Sequence, residues 1–176
     1  MNFDLPPDDD PRRVAVREWI AANPDPSDAE IAAAGWNVAQ WPEPYGLGAD
    51  PMHQLLIVEE FAAADIAMPA NIIGIGWAAP VIYLAGTDEQ KAAYLPRIFS
   101  DEDRWCQLFS EPDAGSDLAS LKTSAVRDGD EYVITGSKIW SSGAHDSQYG
   151  ILIARTDPDV PKHKADALVL LSLIHI

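Results

Sequence analysis

The chain has 176 residues, 47% of them hydrophobic, and a formal net charge of −16 at pH 7. This length accommodates one domain or two small ones, and the apolar content is sufficient for a hydrophobic core. So negative a charge argues against nucleic-acid binding, which requires a basic face, and we attribute it to solubility.

The N-terminal part is predicted to contain short helices and a long loop. Apolar residues at helical spacing predict a helix over 11–22, after an acidic tail over 1–10. Ser27 and Glu30 have the spacing of a capping box, which predicts a second, short helix. Residues 36–50 are dense in Pro and Gly and are predicted to be loop.

Three further helices are predicted before residue 100. Proline directly after Asp50 begins a helix that is expected to run to about residue 64. Residues 68–85 are apolar on almost every side, which predicts a buried helix. Thr87 and Gln90 have capping-box spacing at the start of the last helix.

After Arg104 the apolar pattern changes from a helical to a strand period, and we place a domain boundary there. Asp128-Gly129-Asp130 separates two β-type runs, which predicts a hairpin. Gly136 permits a second turn or bulge, and a strand carrying Trp140 is expected after it. A further strand is predicted to begin at Leu168.

The stretch 108–117 reads Leu-Phe-Ser-Glu-Pro-Asp-Ala-Gly-Ser-Asp and follows a strand-like run. Its composition predicts that the strand ends in a tight loop. Gly115 allows close approach to the backbone, and Ser116 and Asp117 add a hydroxyl and a carboxylate. Successive N–H groups in such a loop can bind phosphate oxygens, although composition alone favours an ordinary turn.

Cys106 is the single cysteine of the sequence, which excludes an internal disulfide and predicts a reducing, cytoplasmic location. The N-terminus lacks a signal-peptide pattern, and no apolar run reaches about 18 residues, so no membrane span is expected. His53, His145 and His163 have no ligand spacing with other His, Cys or acidic residues, so no metal site is predicted.

Together these motifs resemble the acyl-CoA dehydrogenase family. The matching residues of its middle domain are Ser110-Glu111-Pro112, Ala114-Gly115-Ser116-Asp117, Asp128-Gly129-Asp130, Gly136-Ser137-Lys138-Ile139-Trp140 and Ala154-Arg155-Thr156. Those of its N-terminal domain include 41–46, 59–60 and 85–91. The resemblance implies an α+β fold: an all-α N-terminal domain over 1–104, followed over 105–171 by an incomplete antiparallel, β-barrel-like FAD-binding domain.

The resemblance also implies which residues bind FAD. Those at the isoalloxazine ring are Gln107, Phe109 and Ser110; those at the pyrophosphate are Gly115 and Ser116; Trp140 packs on the flavin, and Ser142 lies near its N5 atom. Family members often carry Thr at the positions of Ser110 and Ser142, and Ser preserves the hydroxyl donor. Apart from the resemblance, Trp140 is interpreted as an ordinary core aromatic residue on a strand.

The implied reaction is α,β-dehydrogenation of acyl-CoA thioesters, in which a carboxylate base removes the α-proton. The family's base is a glutamate in a C-terminal helical bundle, and no residue here matches it, so no catalytic residue is assigned. Glu111 is interpreted as structural, and residues 59–60 as solvent-exposed or paired with Arg. The implied substrate contacts are Ile73, Trp77 and Ser116, with core packing as an equal alternative for the first two.

Two alternatives remain open: a non-catalytic partner subunit, and a flavin oxidase or monooxygenase of the same fold. The resemblance further implies an electron-accepting flavoprotein partner and a homo- or hetero-oligomer. Because family members continue well beyond this point, the chain is expected to be a fragment that is inactive alone. Residues 172–176 do not resemble the family and are expected to be a non-native tail, similar to sequencing-adapter read-through.

Overall fold

The computed structural model describes residues 5–157, 159, 161 and 166–172. The helical elements are α1 (Pro11–Ala22), α2 (Asp28–Ala33), α3 (Pro51–Ala63), a π-helical turn (Gly74–Ala78), α4 (Ala79–Ala85) and α5 (Asp88–Phe99). The strands are β1 (Trp105–Leu108), β2 (Ser124–Asp128), β3 (Glu131–Thr135), β4 (Tyr149–Arg155) and β5 (Asp166–Ser172). The chain forms two compact units: Met1–Ala70 with Thr87–Glu102, and Asn71–Gly86 with Asp103–Ile176.

The helices of the first unit begin where the sequence predicts them. The capping box of α2 is formed, because Ser27 and Glu30 each accept a hydrogen bond from the other's backbone N–H. Thr87 and Gln90 do the same at the start of α5. These bonds satisfy N–H groups that have no partner within the helix. Of the predicted tail over 1–10, residues 1–4 lie outside the described residues.

The first unit has an aromatic core. Phe61 on α3 is buried and stacks on Trp19 of α1, with 5.8 Å between ring centroids. Trp36 meets the edge of Trp19 at 5.9 Å. The remaining core residues of this cluster are Val16, Ile31, Ala39, Ala49 and Ile57. Burial of these side chains holds α1 and α3 together, since apolar burial is the main stabilising term.

A buried ion-pair cluster joins the same two helices. Glu60 is 7% exposed and accepts hydrogen bonds from both Arg13 and Arg17. Glu59 pairs with Arg13, with 2.8 Å between Glu59 Oε2 and Arg13 Nη2. The interpretation of 59–60 as Arg-paired residues is therefore confirmed. The pKa of Glu60 is lowered, chiefly by its hydrogen bond to Arg17.

The predicted buried helix over 68–85 differs from the structure in two ways. The helical part begins at residue 72, and its first turns are π-helical: Ala79 N–H donates to the Gly74 carbonyl five residues earlier. Pro80 follows and has no N–H to continue the ordinary i−4 pattern, which favours the wider turn. The expected complete burial is wrong, because Ile72 and Leu84 are exposed. When a helix is apolar on every side, its sequence does not show which side packs against the rest of the protein.

The second unit contains a five-stranded sheet in the order β1-β4-β2-β3, with β5 on β4. The predicted hairpin is confirmed: β2 and β3 pair antiparallel, and Gly129 in the turn has φ 64°. The sheet is open and mixed rather than wholly antiparallel, because β1 and β4 run parallel. The 40-residue connection between them is long enough for a parallel crossover. The α+β fold class is confirmed.

The segment after Gly136 is not the strand that the sequence predicts, since residues 136–141 have no regular secondary structure. The strand predicted at Leu168 is present as β5. Ser172 of the predicted non-native tail pairs with Tyr149, and residues 173–176 lie outside the described residues. Within the described ranges, no helix has the length and apolar character needed to cross a bilayer.

Candidate functional site

The loop after β1 folds into a tight turn. Glu111 N–H donates to the Ala114 carbonyl at 2.8 Å, and Ala114 N–H donates to the Glu111 carbonyl at 3.1 Å. The turn places Gly115 and Ser116 at the surface. A Cβ added at Gly115 would have nothing within 4 Å, so the space beside this glycine is open. The predicted loop is therefore present, with open space at the residue assigned to the pyrophosphate.

The segment 136–140 is joined to this loop by hydrogen bonds. Ile139 N–H donates to the Ser110 carbonyl at 2.9 Å, and Lys138 Nζ donates to the Phe109 carbonyl at 2.9 Å. Gly136 lies so close to Thr123 that an added Cβ would overlap it. The close approach explains a glycine here, because no other residue lacks a Cβ. The two sequence motifs thus form one structural site.

Glu111 is the charged centre of this arrangement and is 6% exposed. Its carboxylate accepts hydrogen bonds from the backbone N–H groups of Lys122 and Thr123, at 2.7 and 2.9 Å. Its Oε1 atom also lies 3.0 Å from Lys138 Nζ. Burial raises the pKa of Glu111, but these hydrogen bonds more than offset burial and lower the pKa to about 2. The carboxylate is thus ionised at neutral pH and has a structural role, as the sequence interpretation holds.

Trp140 is the most unusual residue of the site. Its side chain is 85% exposed, and its φ angle is 58°, in the left-handed region. A bulky residue in this region is strained, and such strain concentrates at functional sites. The interpretation of Trp140 as a core residue on a strand is wrong. A large exposed aromatic ring on a restrained backbone is suited to stacking on a planar ligand.

A buried hydroxyl lies directly beside Trp140. Ser141 Oγ has no hydrogen-bond partner among the residues that the structure describes. Unpaired buried polar atoms are rare and often mark a place for water, an ion or a ligand. The adjoining Ser142, assigned to the flavin N5 atom, is exposed in the following turn. Three features together fit a large cofactor with a planar ring and a phosphate group: the serine hydroxyls of this segment, the open space beside Gly115 and the exposed indole of Trp140.

One predicted substrate residue contacts a predicted cofactor residue. Trp77 lies in the π-helical turn, is 49% exposed, and meets the Phe109 ring edge-on with 5.9 Å between centroids. Asn71 positions this turn: its Oδ1 accepts from Gly74 N–H at 3.2 Å, and its Nδ2 donates to the Asp103 carbonyl at 2.7 Å. Ile73 is half-buried in the same segment.

Three residues of the site were not assigned from the sequence. These residues are Asn71, Lys138 and Ser141. Asn71 and Lys138 bond residues that are distant in sequence, and Ser141 is notable for its buried hydroxyl. No local sequence pattern indicates distant bonds or burial. Lys138 was nevertheless part of the family motif Gly136-Ser137-Lys138-Ile139-Trp140. Gln107, which was assigned, is half-buried on β1 opposite Ile151 of β4.

The strain at Trp140 leads to a stability prediction. Trp140→Gly removes an exposed side chain and places the residue that tolerates positive φ best. Relief of strain should offset the greater freedom of glycine in the unfolded chain, so we expect unfolding free energy to change by less than about 1 kcal/mol. Urea denaturation checks this. A loss of several kcal/mol would mean that the indole has a packing role.

The family follows from comparison with known proteins. The model of the acyl-CoA dehydrogenase N-terminal domain matches residues 12–102, and that of the acyl-CoA dehydrogenase middle domain matches residues 106–173. The chain belongs to the acyl-CoA dehydrogenase family.

Particular members resemble the chain closely. It is 47% identical over 159 residues to acyl-CoA dehydrogenase FadE34 of Mycobacterium tuberculosis, covering 90% of this chain and 22% of that protein. It is 41% identical to acyl-CoA dehydrogenase IpdE1 of the same organism, covering 81% of this chain and 37% of that protein. The ChsE4–ChsE5 complex from Mycobacterium tuberculosis has a chain that superposes with a TM-score of 0.74 and 34% identity, covering 99% of this chain and 49% of that one. The chain thus spans less than half the length of these relatives.

Proposed function

We propose that the protein carrying this chain is an FAD-dependent acyl-CoA dehydrogenase, an oxidoreductase acting on CH–CH groups. The observation that carries the proposal is Trp140, exposed and in a left-handed backbone conformation beside the loop after β1. Membership of the acyl-CoA dehydrogenase family supports the same activity. The curated relatives FadE34 and IpdE1 carry this activity in their names.

The residues of the second unit suit FAD. Trp140 would pack on the isoalloxazine ring, and the Phe109–Ser110 segment with Gln107 would border the ring. Gly115 and Ser116 would meet the pyrophosphate through backbone N–H groups and a hydroxyl, donors that anionic oxygens prefer. Ser142 would supply a hydroxyl near the reactive edge of the ring. When bound, FAD would accept the hydride from the β-carbon of the acyl thioester.

The substrate would approach along the turn that carries Ile73 and Trp77. Trp77 already contacts the ring of Phe109, so an acyl chain beside it would lie close to the cofactor. The task of these residues is to orient the acyl chain and exclude water. None of the described carboxylates is proposed as the base: the oxygens of Glu111 are engaged by hydrogen bonds within the protein, and its pKa of about 2 makes it a weak proton acceptor. The base is proposed to come from a region outside this chain.

The proposed partners are an electron-accepting flavoprotein and further subunits. A heteromeric assembly is suggested by the relative whose structure is the ChsE4–ChsE5 complex. A non-catalytic subunit would bind no FAD, or would bind it without turnover.

The test measures FAD retention in the intact protein. Trp140→Ala removes the stacking surface, and Ser116→Ala removes a donor to the pyrophosphate. We expect Trp140→Ala to weaken FAD binding about tenfold or more and Ser116→Ala to weaken it several-fold. Flavin absorbance per protein after gel filtration, and turnover of acyl-CoA substrates with an artificial electron acceptor, are the measurements.

Tyr132→Ala is the matched control, because Tyr132 is an exposed aromatic residue on β3. It should leave FAD retention unchanged. A Trp140→Ala, Ser116→Ala double variant that kept a full complement of FAD would overturn the site. Bound FAD without dehydrogenation of any acyl-CoA would favour the partner subunit.

A further inference from the structure

Lys138 connects the two segments that carry the proposed cofactor contacts. Its Nζ donates to the Phe109 carbonyl at 2.9 Å and to Glu111 Oε1 at 3.0 Å. The side chain is only 9% exposed, so both hydrogen bonds are largely shielded from water. Charge-assisted hydrogen bonds in such surroundings are strong and restrict geometry.

The adjoining main chain restrains the same place. Ile139 N–H donates to the Ser110 carbonyl at 2.9 Å, and Trp140 follows with φ 58°. A bulky residue stays in this conformation only where its surroundings hold it there. Hydrogen bonds at two successive residues, Lys138 and Ile139, provide this restraint immediately before Trp140.

We propose that Lys138 is a positioning residue for the flavin. Through Phe109 and Glu111 it fixes the backbone that presents Trp140 and Ser110 to the cofactor. Because its side chain is only 9% exposed and its ammonium group donates to these two residues, it acts through them and not by touching the cofactor. The inference rests on the proposed function, since it concerns the same FAD site.

The experiment compares Lys138→Met with the matched control Lys122→Met in the intact protein. Lys122 lies in the same unit and pairs with Asp113 at 3.0 Å, but both of these side chains are 75% exposed. The Kd for FAD is measured by titrating each apoprotein with FAD. The stability of each apoprotein is measured separately by urea denaturation without FAD. We expect Lys138→Met to raise the Kd about 10- to 100-fold and Lys122→Met to change it less than about twofold.

Rescue separates positioning from a merely structural role. Lys138→Arg keeps a cation with N–H donors and is expected to return the FAD Kd to within about threefold of the original. A structural role alone would lower the urea midpoint of Lys138→Met and leave the FAD Kd of the folded protein unchanged. That outcome would overturn the inference.

Glu111→Gln is the second variant, used if Lys138→Met does not fold. It retains the shape of the side chain, removes the charge that Lys138 faces and replaces one of the two acceptor oxygens by an amide donor. A Kd raised about tenfold would support the inference, and an unchanged Kd would refute it. Failure of the unsubstituted protein to bind FAD would contradict the proposed function and the inference together. Binding that is insensitive to Lys138 would contradict the inference alone.

Discussion

Replacing Glu60 by alanine is expected to lower the free energy of unfolding by about 3–5 kcal/mol. The carboxylate is 7% exposed and accepts hydrogen bonds from Arg13 and Arg17, with 2.7 Å between Oε2 and Arg17 Nε. Its removal takes from the buried Arg13 one of its two carboxylate partners, leaving Glu59, and opens a gap between α1 and α3. A loss of this size is a large share of the stability of an ordinary domain. The shift of the urea midpoint, with far-ultraviolet circular dichroism as the probe, measures it.

Glu102→Ala is the matched control for this prediction. Glu102 pairs with Arg97 at 2.7 Å, but both side chains are about half-exposed. Solvent screens such a pair, and its loss should cost no more than about 1 kcal/mol. Equal losses of unfolding free energy in Glu60→Ala and Glu102→Ala would contradict the prediction, because they would show that burial does not make the ion pairs of Glu60 more stabilising.

Acid is expected to destabilise the second unit through Glu111. Its pKa in the folded chain is about 2, against an ordinary value of 4.5. The stabilisation is therefore fully present above pH 4.5 and is lost as the pH falls from about 4.5 towards about 2. The shift corresponds to about 3 kcal/mol at neutral pH. Urea denaturation between pH 7 and pH 3 follows this loss.

Glu111→Gln isolates this contribution from those of other carboxylates. The variant should be less stable than the original at pH 7. The difference should shrink as the pH falls, because Glu111 of the unfolded chain takes up a proton below about pH 4.5, whereas glutamine does not titrate. A difference in unfolding free energy between the two proteins that stays constant with pH would contradict the assignment of this pH dependence to Glu111. Asp113→Asn alters an exposed carboxylate of the same turn and should have little effect at any pH.

Short-range interactions made much of the fold predictable from the sequence. The starts of α2 and α5 follow from Ser27 and Thr87, because each side chain bonds a backbone N–H three residues on. The β2–β3 hairpin follows from Gly129, whose positive φ permits a tight turn. The loop after β1 was predicted from its Pro and Gly content. In each case the determining contacts lie within a few residues.

The candidate site was only partly predictable. The two motifs were recognised as belonging together through family resemblance, but no local rule shows that Lys138 bonds Phe109 and Glu111, 29 and 27 residues earlier. The same limit applies to the parallel pairing of β1 with β4, which depends on contacts across a 40-residue connection.

The sequence by itself determined the helix starts of the first unit, the hairpin and the strand-ending loop, and the family resemblance made the matching residues candidates for the site. Only the tertiary structure decided that the helix over 72–85 opens with a π-helical turn, that Glu111 is buried with its pKa lowered, and that Trp140 is exposed with positive φ. Backbone strain, burial and charge pairing depend on which distant segments meet. Composition and periodicity describe only neighbours along the chain, so these properties arise when the loop after β1 and the segment 136–140 come together.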